Sequence, residues 1–231
     1  IVVVKINATG PLETSAHLMR YDSIHGRFGG KIIVGDGTLD LGQGPIQMFS
    51  TYDPTELDWS DVDVVLECSG SFTDRATAEQ HLNAGAKRVL FSQPAEPSVD
   101  ATIVYGVNHK TLTGNERIVS AASCSTNCVV PVISVLDECF GVEGGVITTI
   151  HSAMNDQPVI DAYHHTDLRK TRAAMQSIIP VDTGLALGID RLLPELAGRF
   201  QAQAMRVPTV NVSAIDLSIM LSKPVDVDTI N

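Results

Sequence analysis

The stretch 61–94, "DVDVVLECSGSFTDRATAEQHLNAGAKRVLFSQP", constrains the fold more than any other part of the chain. It opens on an apolar run over 61–70 that predicts a long strand ending in Ser-Gly. A helical stretch follows and stops at Ala-Gly-Ala, where a glycine suits the residue just past a helix end. A second apolar run, "RVLF", comes next. Two strands joined through a helix are expected to lie parallel, because the crossover brings the chain back to run in the same direction. The same rhythm fills the first half. "IVVVKIN" (1–7) predicts a buried strand, and "PLETSAHLMRYD" a helix with Leu12, Ala16 and Met19 on one side. "KIIVG" and "PIQMFS" predict short strands, and "DATIVYGVN" another. The expected architecture is α/β: a doubly wound, mostly parallel sheet with helices on both faces.

Past residue 123 the rhythm changes. Val129, Val132, Ile133, Leu136 and Phe140 recur at helical spacing, one apolar face of a helix that starts near Cys124. Beyond it "GGVITTIHSAM" predicts a strand, and two more are expected at 201–207 and 210–221, the latter alternating in the manner of an antiparallel ribbon. By rhythm alone a second domain begins near Gly141. The balance of 16 Lys+Arg against 27 Asp+Glu, a formal charge of −11, argues against a nucleic-acid partner. A small anionic substrate stays possible, since a local basic cluster overrides the global field. No apolar run reaches bilayer length, so no membrane span is expected. "IVVVKIN" reads as a strand and not as a signal peptide. Cys68, Cys124, Cys128 and Cys139 show neither a disulfide framework nor a paired CxxC zinc pattern, so no metal site and a cytoplasmic setting are expected. Cys68, Cys128 and Cys139 read as small buried hydrophobes.

"SAASCSTNC" (120–128) places a thiol at the start of that helix. A helix N-terminus favours a thiolate, and an imidazole nearby favours it further. Ser123, Ser125, Thr126 and Asn127 suit the capping of a helix start and the presentation of hydroxyls and amides to an anion. The layout fits a thioester site with donors for a developing oxyanion. A base is required, and His17, His25, His81, His109, His151, His164 and His165 are the candidates. His151 ends the first strand after the cysteine helix, where a sheet delivers side chains to a site. "DLRKTR" gathers Arg169, Lys170 and Arg172; "IIPVDTG" ends in Thr183 and Gly184; Arg206 stands in "AMRVPT". In an acidic chain such cations suit a phosphate.

Together and in this order, "SCSTNC", "TTIHSAMNDQ", "DLRKTRAA", "IIPVDTG" and "RVPTVNVSAIDL" resemble the glyceraldehyde-3-phosphate dehydrogenase superfamily over nearly the whole chain. "HSAMNDQPVIDAYH" is most similar to its erythrose-4-phosphate dehydrogenase branch. The resemblance implies an incomplete NAD(P)-binding domain over 1–123, a partial Rossmann-like doubly wound parallel sheet, and over 124–231 an α+β catalytic domain with an antiparallel sheet, its C-terminal part absent. It implies that Cys124 is the nucleophile and His151 its acid–base partner. Ser123 and Ser125 flank the thiol, and Lys170, Thr183, Gly184 and Arg206 hold the substrate phosphate. Lys170 stands where the family usually has arginine, keeping the charge and losing the bidentate fork. Ser69, Gly70 and Ser92 line the cofactor. The implied cofactor is NAD, with NADP left open because Ala8 stands where an acidic residue commonly binds the ribose. The implied reaction oxidises erythrose 4-phosphate to 4-phosphoerythronate through a thioester that water hydrolyses, a step toward pyridoxal phosphate. The implied assembly is a homotetramer.

The chain departs from the family at several points. Met154 stands where phosphorylating enzymes usually carry an anion-binding threonine. Tyr52 replaces a common arginine, and Ala121 an asparagine. The Gly-rich first βα turn and the C-terminal segment are not found, so a chain truncated at both ends is expected. Two alternatives follow: a phosphorylating glyceraldehyde-3-phosphate dehydrogenase, or a non-catalytic remnant that binds sugar phosphate or a partner subunit.

Overall fold

The computed structural model describes residues 1–164 and 166–231. His165 lies outside the described residues. The chain forms two compact units, one of Ile1–Ala101 with Gly114–Ser120, the other of Thr102–Thr113 with Ala121–Asn231. Each is an α/β structure with its own core.

In the first unit β1 (Lys5–Asn7) leads into helix α1 (Leu12–Arg20), then the small antiparallel pair β2 (Tyr21–Asp22) and β3 (Gly26–Arg27). Strands β4 (Ile33–Val34), β5 (Thr38–Asp40) and β6 (Pro45–Phe49) follow, and the sheet runs β1-β6-β5-β4 with β1 and β6 parallel. A second sheet holds β7 (Val64–Glu67), β8 (Arg88–Phe91), β9 (Ala101–Thr102) and β10 (Ile118–Ser120) in the order β7-β8-β10-β9. Helix α2 (Arg75–Asn83) is the crossover between β7 and β8, which pair in parallel as its position requires. Asp74 caps it by accepting a hydrogen bond from the Thr77 amide.

The parallel rhythm holds, but the predicted strands are too long. Only Lys5–Asn7 of 1–7 is strand, and Val2, Val3 and Val4 are exposed. The 61–70 run shortens to four residues, buried on alternate positions, because Val62 and Asp63 serve a turn against Trp59 and Arg88. "DATIVYGVN" yields a two-residue strand, since the Asn108 side chain bonds back to Val104 and Thr102 and curls the segment. Phe91, Val89, Ala78 and Ile118 form the core between α2 and the second sheet.

The second unit begins with helix α3 (Cys124–Phe140). Strand β11 (Val142–His151), strand β12 (Ile179–Val181), helix α4 (Leu185–Leu192), strands β13 (Phe200–Arg206) and β14 (Ala214–Leu221), and the short helix α5 (Val227–Ile230) follow. The sheet runs β12-β13-β11-β14. β11 is central, parallel to β13 and antiparallel to β14. The two strands expected at 201–207 and 210–221 are therefore not partners of each other; β11 lies between them. The second starts at Ala214, because Val212 takes a left-handed φ of 59° that no strand residue adopts.

On α3, Val129, Val130 and Ile133 are buried and Leu136 is packed against them, whereas Val132 is exposed. The buried face is thus rotated slightly from the one expected. These side chains pack on Ile147 of β11, Leu185, Ile189 and Leu192 of α4, and Phe200. Gly145 is required by close approach: a Cβ there would sit 2.6 Å from the Ser218 carbonyl oxygen. Ile147 has no exposed surface, and its truncation leaves a cavity that α3 and α4 cannot both close. We expect Ile147→Ala to lower stability by about 2–5 kcal/mol, measured by urea titration followed by far-ultraviolet circular dichroism.

Candidate active site

Helix α3 begins where a strained turn presents it. Ala122, buried, has a left-handed φ of 59°, a conformation that costs a non-glycine residue about 1–2 kcal/mol. Asn127 braces that turn by donating from Nδ2 to the carbonyls of Ala121 and Ser123 at 2.7 and 2.9 Å. Ser123 is the N-cap: its Oγ accepts from the Thr126 amide at 3.0 Å. Cys124 is then the first helical residue, beside backbone amides that have no intrahelical acceptor. The Cys124 thiol is exposed.

His151 is the last residue of β11. Its Nε2 lies 3.7 Å from Cys124 Sγ. Its Nδ1 sits 2.8 Å from the Ser152 carbonyl oxygen, which can only accept, so Nδ1 carries the proton. The Nε2 lone pair is left facing the thiol, the tautomer a base needs. Ser125 Oγ is 4.0 Å from the sulfur. The other described histidines are engaged elsewhere. His25 pairs with Asp22, and His81 bonds Trp59 and Glu67. His109 accepts from the Gly106 amide, and His164 from the Thr166 and Asp167 amides. His17 packs on Tyr21. Among the described residues His151 is the histidine paired with Cys124.

The cations read as phosphate anchors are paired with a carboxylate. His151 and Arg206 are register partners across the parallel β11–β13 ladder, so both leave the sheet on one face. Arg206 is buried, and its guanidinium donates to Asp156 Oδ1 at 2.5 Å. Lys170 donates to Asp156 Oδ2 at 3.0 Å. One carboxylate therefore bridges the two cations. Burial alone would raise the Asp156 carboxyl, but the bonds from Lys170 and Arg206 outweigh it and hold the group below the usual carboxylate range. Arg169 lies between Asp167 and Asp182, and Arg172 pairs with Asp161. Thr183 Oγ1 accepts from the Leu185 amide at 3.2 Å beside Gly184, the N-cap of α4. Met154 is exposed and offers no side-chain donor, while its amide donates to Gln157 Oε1. Gln157 is buried, and its Nε2 has no hydrogen-bond partner among the described residues.

Sequence reasoning passed over Asp156 and Gln157, although "MNDQ" was in view. A carboxylate between cation-rich segments was the available signal. The reading of three cysteines as buried also fails: Cys68, Cys128 and Cys139 are exposed. Exposure therefore does not single out Cys124; the imidazole does.

In the first unit Ser69, Gly70 and Ser92 are exposed residues just past the C-terminal ends of β7 and β8, where parallel sheets bind ligands. Gly70 takes φ +74° with nothing within 4 Å of where a Cβ would stand, so the turn's exposed side is open to an approaching group. At the end of β1, Asn7 is bonded in both directions to the Thr51 backbone, and Ala8 brings no carboxylate. The residues fit a dinucleotide at β7 and β8, and at β1 without a ribose acceptor. No described residues form a His/Cys/Asp/Glu group able to hold a metal, and no described helix is long and apolar enough to cross a membrane.

One unit offers parallel strand ends open to a ligand, and the other a thiol–imidazole pair; the family matches make the class an NAD-dependent oxidoreductase. Residues 1–75 match the NAD-binding domain of glyceraldehyde 3-phosphate dehydrogenase, and residues 123–231 match the C-terminal domain of the same enzyme. The chain belongs to the glyceraldehyde-3-phosphate dehydrogenase family, and its cofactor is NAD.

Two outcomes follow from this geometry. Iodoacetamide at neutral pH should label Cys124 ahead of the three other exposed thiols, and His151→Asn should slow that labelling by about tenfold or more; peptide mapping reads both. Because the Asp156 carboxyl is depressed in the folded chain, its contribution to stability is present above the unfolded value of about 3.9 and fades as pH falls below it. Asp156→Asn should flatten the acid side of the stability–pH curve in thermal melts from about pH 4 downward.

Proposed function

We propose that this chain carries the catalytic apparatus of an erythrose-4-phosphate dehydrogenase, oxidising the aldehyde to 4-phosphoerythronate with water as the acyl acceptor. The observation that carries the choice of acceptor is Met154: an exposed thioether in the segment between His151 and Asp156, where an anion-binding hydroxyl would serve phosphorolysis.

In this reading His151 Nε2 takes the Cys124 proton and the thiolate adds to the aldehyde carbon, giving a hemithioacetal. The Cys124 and Ser125 amides at the start of α3 face the oxyanion that forms. The imidazolium returns its proton to that oxyanion; the neutral His151 then removes the hemithioacetal hydroxyl proton as hydride leaves the carbon, and sheds it to solvent. NAD, when bound, supplies the hydride acceptor. Cys124 holds the resulting thioester, and His151 draws a proton from the attacking water, which releases the acid and frees the thiol. Arg206 and Lys170, with Thr183 and Gly184 at the start of α4, hold the substrate phosphate. Asp156 keeps the guanidinium extended and pre-oriented, so less side-chain entropy is lost when the anion arrives. Ser123 acts by capping α3. The homotetramer, the cytoplasmic setting and the domain division at 123/124 belong to the same proposal.

The test measures reduced-cofactor formation with erythrose 4-phosphate and with glyceraldehyde 3-phosphate, each with and without inorganic phosphate. Turnover of the four-carbon substrate without phosphate is expected. Strict phosphate dependence with the three-carbon substrate preferred would restore the phosphorylating reading, and absence of turnover with intact NAD binding would favour the non-catalytic one. Arg206→Ala should raise KM for the phosphorylated aldehyde by roughly tenfold or more, and much less for an unphosphorylated aldehyde, since a charge-assisted contact contributes about 1.5–3 kcal/mol.

A further inference from the structure

The first unit buries three polar groups that the thiol chemistry does not use. Trp59, Glu67 and His81 are 5%, 7% and 3% exposed. Trp59 Nε1 donates to His81 Nδ1 at 3.0 Å. An indole N–H can only donate, so His81 Nδ1 is the unprotonated nitrogen and the ring's proton is on Nε2. That proton points at Glu67 Oε2, 3.2 Å away. The other oxygen, Oε1, accepts the Ser69 amide at 2.7 Å. The backbone carbonyl of Glu67 also accepts the Ser92 amide at 3.0 Å. Beyond Ser69, its own Oγ accepts the Ser71 amide at 3.1 Å, closing the turn around Gly70. Burial would raise the Glu67 carboxyl, yet the bonds from His81 and Ser69 hold it ionised, below its usual value.

Each N–H in the row Trp59–His81–Glu67–Ser69 meets one acceptor, and the order of these protons has a single solution. Glu67 thereby touches both strand ends that face the cofactor: Ser69 through its carboxylate, Ser92 through its backbone. We propose that Glu67 is the positioning residue of the NAD-binding turn, with Trp59 and His81 behind it fixing which oxygen faces which donor. The inference rests on the assignment of Ser69, Gly70 and Ser92 to the cofactor. Nothing in the row reacts.

Glu67→Gln tests the proton order at nearly constant shape. If the new amide oxygen keeps Ser69, its NH2 faces His81 Nε2, whose tautomer must flip, and Nδ1–H then meets the Trp59 N–H. If the amide turns over, NH2 meets the Ser69 N–H. Either way two donors collide inside a buried site. Trp59→Phe removes one of the colliding donors, so the double variant Glu67→Gln/Trp59→Phe can adopt the flipped tautomer.

The experiment is calorimetric titration of NAD into the full chain, with circular dichroism confirming the fold of each variant. Glu67→Gln should weaken NAD binding roughly tenfold, and the same change made in the Trp59→Phe background should cost clearly less. A control, Ser92→Tyr, places bulk at the cofactor face. No NAD binding by the unaltered chain, or binding untouched by Ser92→Tyr, overturns the cofactor assignment and this inference with it. Binding weakened by Ser92→Tyr but unchanged by Glu67→Gln overturns the inference alone, as does equal loss from Glu67→Gln in both backgrounds. Should Glu67→Gln fail to fold, nitrogen-15 shifts of His81 in the unaltered chain decide. The Nε2–H tautomer, with the Ser69 amide shifting on NAD addition, is expected. An Nδ1–H tautomer, or an unmoved Ser69 amide, overturns it.

Discussion

The parallel ladder between β11 and β13 is the constraint on which the second unit depends. It sets His151 beside Arg206, so the base and the buried cation share one sheet face at adjacent strand ends. Side chains alternate faces along a strand, and a slip of one residue would turn one of the pair away. The ladder is protected against slipping on both sides. Ile147 lies fully buried beneath α3 and α4, and Gly145 admits neighbours too close for any side chain. The helix that carries Cys124 packs on the same apolar layer. The 3.7 Å thiol–imidazole distance is therefore a property of the core as much as of the site.

The two polar assemblies in the chain solve opposite problems. The thiol and imidazole sit in the open, where a substrate can reach them and where the neutral tautomer is set by a single carbonyl. The Trp59–His81–Glu67 row is buried, and each member is hydrogen-bonded, which is the condition under which buried polar groups specify structure instead of weakening it. The basic cluster lies between these limits. In a chain of net charge −11, Arg169, Lys170, Arg172 and Arg206 each meet a carboxylate. Asp156 serves two of them and leaves part of each cation's donor capacity for a ligand.

Much of this was legible in the residue pattern. The strand–helix–strand rhythm of 61–94 required a parallel crossover, and the structure has one. Polar residues before an apolar helical face placed Cys124 at a helix start, where it is. Element lengths were less legible, because apolar composition does not reveal where side chains such as Asn108 pull the backbone out of a strand. Pairing was not legible for β13 and β14: alternation along 210–221 pointed to an antiparallel strand without naming its partner, and the structure places β11 between the two. Asp156 and Glu67 were missed for a common reason. Each acts by holding another side chain or amide, and such a role shows only once distant segments have been brought together.

Strand β11 meets β13 across a long excursion that includes β12 and α4. Parallel pairing of segments so far apart must bear its loop-closure entropy before the contacts repay it, so it belongs to the late stage of folding. The cap on α3, by contrast, is local: Ser123 and Thr126 are three residues apart. A nascent chain can thus bring thiol and imidazole together on the consecutive elements α3 and β11, and acquire Arg206 only when β13 closes the ladder. The buried cation arrives with the last long-range contact, and an unfinished chain carries the thiol–imidazole pair without it.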